Sequence, residues 1–273
     1  MRAALIQLCS GDDPEANLVT TRAALQAAAE AGAEIALTPE VTNCVSTSRT
    51  RQREVLRHEA DDPTLAALRE DAAALGLHVL IGSLALKTDD ADGRFANRSF
   101  LISPSGEIVA RYDKIHMFDV DVSETESYRE SAGYRPGDRA VLARTALGAI
   151  GMTVCYDLRF PHLYRALAQA GAQVLTVPAA FSTGTGPAHW EVLLRARAIE
   201  TCCFVLAPAQ TGQNTPKRAT YGHSLAIAPW GEVILDAGTE TGVHLVDLDL
   251  ADVDRSRRRI PSLFHDREFE PPQ

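Results

Sequence analysis

The chain carries the same order of sequence patterns twice, and this repeat restricts its possible folds more than any other feature. Residues 32–39 read Gly-Ala-Glu-Ile-Ala-Leu-Thr-Pro, and residues 171–178 read Gly-Ala-Gln-Val-Leu-Thr-Val-Pro. Each segment begins with a glycine suited to ending a helix, continues as a short apolar run typical of a buried strand, and ends at a proline. Residues 99–109 and 224–234 are also similar, because both place a Pro-x-Gly-Glu turn between two apolar runs.

The patterns around these segments predict alternating strands and helices in each half. In the first half, Asp12 or Asp13 followed by Pro14 marks the start of a helix. The elements expected in this half are a strand at 3–8, a helix ending at Gly32, strands at 33–38 and 78–86, a helix at 62–76 and a hairpin at 99–109. The second half repeats this order with a strand at 149–154, a helix at 161–170, the run 171–178, a helix at 188–201, a strand at 203–207 and a hairpin at 224–234. Such halves predict two sheets flanked by helices.

We expect the two halves to form a single domain over residues 1–273. No linker rich in proline, glycine or serine separates them. With 45% hydrophobic and 23% charged residues, the chain has the composition of a globular protein that buries a substantial core. Two α/β halves that are similar only by chance are the alternative, and the matched hairpins argue against it.

The charge of the chain argues against nucleic-acid binding. The formal net charge is -9, whereas proteins that grip phosphates usually present a basic face. The one dense basic run consists of Arg255 and residues 257–259, and acidic residues follow it. We interpret this run as the solvated end of a helix.

The sequence predicts a soluble cytoplasmic protein. No segment approaches the roughly 20 continuous apolar residues that span a bilayer. The apolar N-terminus is too short for a signal peptide. The five cysteines leave at least one unpaired, and Cys202 and Cys203 are adjacent, which is not typical of a secreted disulfide framework.

Three residues with catalytic potential follow predicted strands. Glu40 comes after the strand that ends at Thr38, Lys114 follows the second arm of the first hairpin, and Cys155 follows the strand at 149–154. Catalytic groups of α/β folds tend to lie at strand ends. Taken singly, each has a structural explanation: a small buried hydrophobe for the cysteine, and surface charges for the glutamate and the lysine.

Together with their neighbours, these residues resemble the nitrilase superfamily of carbon–nitrogen hydrolases. Residues 37–40 look like its catalytic glutamate motif, residues 112–116 its lysine motif, and residues 154–161 its nucleophile motif. The resemblance extends from Met1 to about Arg267. It implies an α/β/β/α four-layer sandwich, which agrees with the doubled order of elements.

The resemblance also implies a mechanism in which Cys155 attacks an amide carbonyl. A thiol is mostly protonated at neutral pH and needs a base, which in this family is Glu40. Lys114, together with a backbone N–H just after Cys155, would stabilise the tetrahedral oxyanion. Water activated by a carboxylate would then release the acid from the thioester.

Family members often carry a second glutamate near the lysine. Glu130 matches its position best, ahead of Glu124 and Glu126. We expect Glu130 to support catalysis by positioning Lys114 or the water.

A cysteine–histidine hydrolase is the rival interpretation of Cys155. The sequence leaves it open, because His116, His162, His189 and His223 are available. The histidines show no paired metal-ligand spacing, and no phosphate-binding glycine-rich loop precedes a helix. We therefore expect no metal and no nucleotide cofactor.

Two segments of the sequence indicate which amides are the candidate substrates. Residues 186–200 and 217–224 resemble the deaminated glutathione amidase branch, which implies hydrolysis of deaminated glutathione to 2-oxoglutarate and cysteinylglycine. Its neighbour, ω-amidase, acts on 2-oxoglutaramate and 2-oxosuccinamate. Another small-amide or N-carbamoyl hydrolase is a further alternative, whereas the branch argues against nitrile hydrolysis.

The keto-acid carboxylate of such substrates predicts a cation near the site. Arg159 is the candidate, because a guanidinium can hold a carboxylate bidentately. The alternative is a structural ion pair of Arg159 with Asp157 or with a neighbouring helix. The pocket-lining candidates are Tyr156, Phe118, Phe181 and Tyr134. The helix from about residue 188 has an apolar face, and its charged residues are expected to serve structure more than substrate.

Two further expectations concern assembly and a rival function class. The resemblance implies a homodimer, with helices near the active site and the tail at about 260–273 at the subunit contact. A catalytically silent interaction protein of the same fold is the non-enzyme alternative. The sequence leaves the role of Cys44, close to Glu40 in the chain, undefined.

Overall fold

The structure is a computed structural model that describes residues 1–122, 127–270 and 272. The first half contains β1 (Arg2–Gln7), α1 (Pro14–Glu30), β2 (Ile35–Leu37), α2 (Arg49–Val55), α3 (Pro63–Leu75), β3 (His78–Leu86), β4 (Ala96–Ile102), β5 (Ile108–Asp113), β6 (Asp119–Asp121) and β7 (Ser127–Arg129). The second half contains β8 (Val141–Thr145), β9 (Gly148–Met152), α4 (Pro161–Gln169), β10 (Val174–Thr176), α5 (Gly186–Thr201), β11 (Phe204–Ala207), β12 (Thr211–Thr215), β13 (Arg218–Tyr221), β14 (Leu225–Ile227), β15 (Val233–Asp236), β16 (Gly242–Asp247) and α6 (Ala251–Arg259). None of the helices in these residues has the length and apolar character needed to cross a bilayer.

Two six-stranded mixed sheets form the frame, and they match strand by strand. The first has the order β16-β1-β2-β3-β4-β5, and the second has the order β8-β9-β10-β11-β14-β15. In each sheet the three central strands are parallel, and the remaining pairings are antiparallel. The predicted α/β class with an internal repeat is therefore confirmed.

The last strand of the second half belongs to the sheet of the first half. β16 returns from the second half to pair with β1, from Arg2 opposite Asp247 to Gln7 opposite Gly242. In the second sheet the same position is taken by β8, which pairs with the next strand along the chain, β9. The first sheet is thus completed by a strand from the second half, which agrees with the absence of a linker between the halves.

Alternating side chains of β1 show how the layers pack. Ala3 and Leu5 belong to the core that is shared with the second sheet, whereas Ala4 and Ile6 pack with residues of α1 and α3. On the far side, α4 and α5 cover the second sheet with apolar residues that include Trp190, which is fully buried. The predicted four-layer order, helix–sheet–sheet–helix, is confirmed.

The helix boundaries follow their local signals. The Asp13 side chain accepts hydrogen bonds from the amides of Glu15 and Ala16, and Pro14 occupies the first helical position, as predicted. Asp62 caps α3 in the same way, and Gly76 ends it with a left-handed φ of 62°.

Several elements were not predicted because they carry little apolar periodicity. The hairpins β6–β7 and β12–β13 are short and largely polar, and α2 is only seven residues long. β8 and β16 are half-buried strands, so their sequences do not show the continuous apolar runs of the central strands.

The basic run at the end of α6 is largely exposed to solvent, as predicted: Arg255, Arg258 and Arg259 are exposed, and Arg257 is partly buried. Arg257 donates to the carbonyl of Ala172 at 2.7 Å. The guanidinium of Arg259 lies over the ring of Trp230, 3.7 Å from its centroid. These two contacts also fasten α6 to the second half.

The two sheets touch where the segments that follow β2 and β10 approach β3. Gly82 on β3 donates its amide to the Thr38 hydroxyl. A Cβ atom at this position would lie 2.1 Å from the Thr38 carbonyl oxygen and 2.5 Å from Cβ of Pro178. Only glycine fits this approach of the two halves.

We therefore expect Gly82→Ala to lower the free energy of unfolding by about 3 kcal/mol, because the backbone of β2 would have to shift. Gly93→Ala is the control, since its Cβ would meet nothing within 4 Å. Its left-handed φ alone should cost about 1 kcal/mol. Urea denaturation followed by circular dichroism measures both, and equal losses would contradict the packing argument.

Candidate active site

The ends of β2, β5 and β9 bring the three predicted residues together. The Lys114 Nζ donates to Glu40 Oε1 at 2.9 Å. Cys155 begins a 3₁₀ helix, Cys155–Arg159, and the Glu40 carboxylate is close enough to raise the pKa of its thiol. All three side chains are buried, with exposures of 8% or less.

Glu40 is held by donors on both carboxylate oxygens. Besides Lys114, the side-chain amide of Asn97 donates to Oε1 at 2.9 Å, and the backbone amide of Ala180 donates to Oε2 at 2.9 Å. Burial raises the pKa of Glu40, but the adjacent Lys114 ammonium and these hydrogen bonds outweigh it, so the pKa is lowered below its ordinary value. At neutral pH this group is a carboxylate that can accept a proton.

Lys114 lies between two carboxylates. Its Nζ donates to Glu130 Oε1 at 2.9 Å and to Oε2 at 2.8 Å, and the Phe118 amide donates to the same Oε2 at 2.6 Å. Burial would lower the pKa of Lys114, but the charges of Glu130 and Glu40 raise it well above its ordinary value. The ammonium therefore stays charged.

The structure places Glu130 where the sequence predicted a second glutamate. Glu124 and Glu126, the less favoured candidates, lie outside the described residues. Asn97, on the buried face of β4, was missed. Its sequence context provided little signal, because Asn97 is followed by two more polar residues, Arg98 and Ser99, within the same strand.

Cys155 is presented by a sharp backbone turn. Its φ is +48°, in the left-handed region that non-glycine residues rarely adopt. Its own amide donates to the Pro178 carbonyl at 2.9 Å. Within the described part of the chain, the next amide, that of Tyr156, donates to no acceptor, as expected in the first turn of a 3₁₀ helix.

The Cys155 thiol is protonated at neutral pH. Burial is the main cause that raises its pKa well above the ordinary value, and the negative charge of Glu40 adds to it, while Lys114 opposes. A neutral thiol beside an ionised carboxylate is the arrangement required for base-assisted attack.

A buried carboxylate fixes the turn that carries Cys155. Asp157 accepts from the Val154 amide at 2.8 Å and from the Tyr112 hydroxyl at 2.7 Å. It also accepts from the His116 amide at 3.1 Å and contacts His116 Nδ1 at 2.7 Å. The segment after Lys114 is thereby tied to the nucleophile turn.

The four histidines of the cysteine–histidine alternative have other partners. His116 faces Asp157, His189 accepts from Arg159, and His223 pairs with Asp236. His162 packs edge-on against Phe160. Among the described residues, no histidine lines the cavity around Cys155, so this alternative gains no structural support.

Cys155 opens into a cavity of about 480 Å³. The predicted lining residues Tyr156, Phe118, Phe181 and Tyr134 all contribute to its wall. Cys44 also lines it, and burial raises the pKa of this thiol to about 12, so it is protonated at neutral pH.

Arg159 is placed behind the cavity wall rather than in it. Its guanidinium donates to His189 Nδ1 at 3.2 Å and lies 5.8 Å from the centroid of Phe181. The predicted alternative pairing with Asp157 does not form, because the four donors from Val154, Tyr112 and His116 occupy that carboxylate. Other basic residues line the cavity, namely Arg49, Arg129, Lys217 and Arg218.

The charged residues of α5 serve structure. Arg197 is buried and donates to the Leu158 carbonyl at 2.9 Å, which supports the 3₁₀ helix that begins at Cys155. Arg195 donates to the Gly231 carbonyl at 2.8 Å.

Comparison with known proteins agrees with this geometry. The sequence model of the family described as "Carbon-nitrogen hydrolase" matches residues 2–258. A protein from Yersinia enterocolitica named deaminated glutathione amidase is 39% identical over 265 residues, which cover 97% of this chain and 92% of that protein. The Homo sapiens protein of the same name is 38% identical over 267 residues, covering 97% and 81%.

Solved structures share the fold. The C. elegans NitFhit protein superposes with a TM-score of 0.91 at 33% identity, covering 97% of this chain and 65% of that one. A variant of the amidase from Nesterenkonia sp. AN1, with the acetamide moiety of fluoroacetamide covalently added at the active site cysteine, gives a TM-score of 0.79 at 27% identity and covers 95% and 94%.

The predicted resemblance to the deaminated glutathione amidase branch is confirmed, and so is the predicted enzyme class, a hydrolase of carbon–nitrogen bonds other than peptide bonds. The chain belongs to the carbon–nitrogen hydrolase family, as its three strand-end motifs predicted.

Proposed function

We propose that this protein hydrolyses the amide bond of deaminated glutathione through a thioester on Cys155, giving 2-oxoglutarate and cysteinylglycine. The observation that carries the proposal is the buried cluster of Glu40, Lys114 and Glu130 beside the Cys155 thiol. Relatives that bear the name deaminated glutathione amidase align with 97% of the chain, which directs the substrate assignment.

In the acylation step, Cys155 Sγ attacks the amide carbonyl carbon while its proton passes to Glu40. The oxyanion that forms is stabilised by the Lys114 ammonium and by the free amide of Tyr156, and one such donor lowers the barrier by about 3–4 kcal/mol. The carbon–nitrogen bond then breaks, and Glu40 returns the proton to the leaving amine.

In the deacylation step, a water molecule attacks the thioester carbonyl and gives its proton to Glu40. The same donors stabilise the second oxyanion. Collapse of this intermediate releases the carboxylic acid and the Cys155 thiolate, which recovers its proton from Glu40. Glu130 holds Lys114 in place through both carboxylate oxygens.

The cluster argues for an enzyme over a silent interaction protein. Three charged groups, Glu40, Lys114 and Glu130, are largely removed from water next to a strained cysteine backbone. Burying charges costs several kcal/mol per ion before pairing offsets it, so a binding surface gains nothing from such a set. ω-Amidase activity on 2-oxoglutaramate uses the same catalytic groups and is the second candidate.

The substrate assay measures 2-oxoglutarate released from deaminated glutathione and from 2-oxoglutaramate. We expect a higher kcat/KM for the first substrate. Glu40→Gln should reduce kcat by roughly 10²–10⁴-fold, and Cys155→Ala should abolish thioester chemistry.

Preference for 2-oxoglutaramate would assign ω-amidase with the mechanism unchanged. Negligible turnover of both substrates would refute the substrate assignment. Activity that survives in Cys155→Ala would refute the mechanism.

We also infer a cytoplasmic homodimer. All five cysteines are free, which suits a reducing compartment. Ile199, Trp230 and Ile260 are exposed near one another: Ile199 lies against Gly231, and the carbonyl of Ile260 lies near Cys202 at the end of α5. Exposed apolar patches of this kind mark contact surfaces. In the tail, Phe264 and Phe269 are exposed as well.

Ile199→Asp should shift the protein from dimer to monomer in sedimentation equilibrium, because it places a charge in the middle of this apolar patch. Val19→Asp, at an exposed apolar site on α1, is the control and should leave the mass unchanged. A dimer that persists in Ile199→Asp at low micromolar concentration would contradict the assignment.

The pH profile of kcat/KM separates Glu40 from an imidazole base. The ionised form of Glu40 is active, and its lowered pKa means that this form is lost only at acidic pH. The pKa values of Cys155 and Lys114 are raised well above their ordinary values, so both groups keep their protons as the pH rises through neutrality. We therefore expect a plateau across neutral pH over the range where circular dichroism shows a folded protein. A rise centred near pH ~6.5 would indicate histidine.

A further inference from the structure

The cavity contains positive charge that the proposed catalytic steps do not use. Four basic side chains other than Lys114 line it, namely Arg49, Arg129, Lys217 and Arg218. Arg129 is neutralised by Asp121, with Nη2 at 2.8 and 2.9 Å from the two carboxylate oxygens. Lys217 is exposed at the turn between β12 and β13. Arg49 and Arg218 are therefore the two remaining candidates for binding an anionic ligand.

Arg218 is held by neutral groups close to the reacting centre. Its Nη2 donates to the Ala180 carbonyl at 2.6 Å, and its guanidinium lies 4.9 Å from the ring centroid of Tyr128, whose hydroxyl accepts from Nη1. The amide of the same Ala180 donates to Glu40. Arg218 therefore binds the carbonyl group of Ala180, and Glu40 binds the amide group of the same residue.

Arg49 is held by neutral groups in another part of the wall. Its Nη1 donates to Gln52 Oε1 at 2.8 Å, and its guanidinium lies 5.2 Å from the ring centroid of Tyr134. A Cβ at Gly133 would fall 1.8 Å from Arg49 Cζ, so the guanidinium packs directly on the backbone there. Gln52 also donates to the Tyr134 hydroxyl at 2.8 Å, which fixes the assembly.

Neither guanidinium has a carboxylate partner among the residues that the structure describes, so none of these residues compensates its charge with a direct ion pair. Each is also oriented by its surroundings before a ligand arrives, which lowers the entropic cost of binding. A planar guanidinium in this state is suited to a carboxylate, which it can bind through two parallel hydrogen bonds.

We propose that Arg218 binds the carboxylate on the acyl side of the scissile amide, and that Arg49 binds a second carboxylate on the side of the leaving amine. The substrate class is thus a dianionic amide. This inference rests on the proposed function, because deaminated glutathione carries one carboxylate on its 2-oxo acid end and another on its glycine. The 2-oxo acid carboxylate is separated from the scissile carbonyl carbon by fewer bonds than the glycine carboxylate is. This matches the position of Arg218 beside Ala180 and Glu40.

The test compares three amides in the intact enzyme: deaminated glutathione, 2-oxoglutaramate and neutral butyramide. Arg218→Met should lower kcat/KM for both anionic amides by about 30-fold or more relative to butyramide. Arg49→Met should do so for deaminated glutathione alone, because 2-oxoglutaramate releases ammonia and has no second carboxylate.

Arg129→Met is the matched control. It removes the same charge from the same cavity wall, but the Arg129 guanidinium is already paired with Asp121. The kcat/KM of each anionic amide relative to that of butyramide should therefore change less than about threefold. Arg159→Met tests whether Arg159, the cation predicted from the sequence, binds the substrate carboxylate instead. Loss of anionic selectivity in Arg159→Met but not in Arg218→Met would overturn the proposal.

Equal losses of kcat/KM for all three amides in Arg218→Met would also overturn the proposal, since they would indicate a structural role for Arg218. If Arg49→Met affected both anionic amides alike, the assignment of the two ends would be wrong. If the wild type hydrolysed 2-oxoglutaramate but not deaminated glutathione, the proposed function would fail, yet the ratio with butyramide would still test Arg218.

Binding of 2-oxoglutarate to a Cys155→Ala background by isothermal titration calorimetry gives a readout independent of turnover. Adding Arg218→Met should raise Kd by about 30-fold or more, whereas adding Arg49→Met should leave it within about threefold. An unchanged Kd with Arg218→Met would refute the role of Arg218.

Discussion

The ion cluster of Lys114 with Glu40 and Glu130 is the interaction on which the site depends. Each charge is acceptable in the interior only because the others and a set of neutral donors surround it: Asn97 and the amides of Ala180 and Phe118. Removing one member of such a cluster typically costs about 3–5 kcal/mol, because the remaining charges are left unpaired. The Lys114 charge and the hydrogen bonds therefore keep Glu40 ionised in spite of its burial, whereas burial and the charge of Glu40 keep the Cys155 thiol protonated.

The doubled fold explains how the cluster is assembled. Glu40 and Lys114 come from the first sheet, and Cys155 and Ala180 follow strands of the second, so the site exists only where the two sheets meet. β16 joins the halves, because it belongs to the second half and pairs with β1 in the first sheet. Asp157 adds a local link across the same boundary, because it binds residues on either side of Lys114 and the amide just before Cys155.

Much of this frame could be predicted from the sequence, because buried strands, capped helices and paired hairpins leave local signals. Glu40, Lys114 and Cys155 were predicted because they follow strands and lie in local motifs that resemble the family's, and Glu130 was predicted from the family resemblance alone; the structure brings all four side chains together. Asn97 and Arg218 were missed since their roles depend on contacts between distant segments. Arg159 was chosen for its distance along the chain from Cys155, but the turn of the 3₁₀ helix directs it toward α5 and His189.

The partners of each cation indicate what its charge is available for. Lys114 and Arg129 are paired with carboxylates, so their charges are largely satisfied within the protein. Arg49 and Arg218 are oriented by amide, carbonyl, hydroxyl and aromatic groups, which fix geometry without cancelling charge. A carboxylate ligand would gain most at the second kind of site, because no carboxylate in the described part of the chain is already paired with these two guanidinium groups. The same reasoning explains why a buried, well-paired lysine can stabilise a transient oxyanion yet contribute little to ground-state recognition of an anionic substrate.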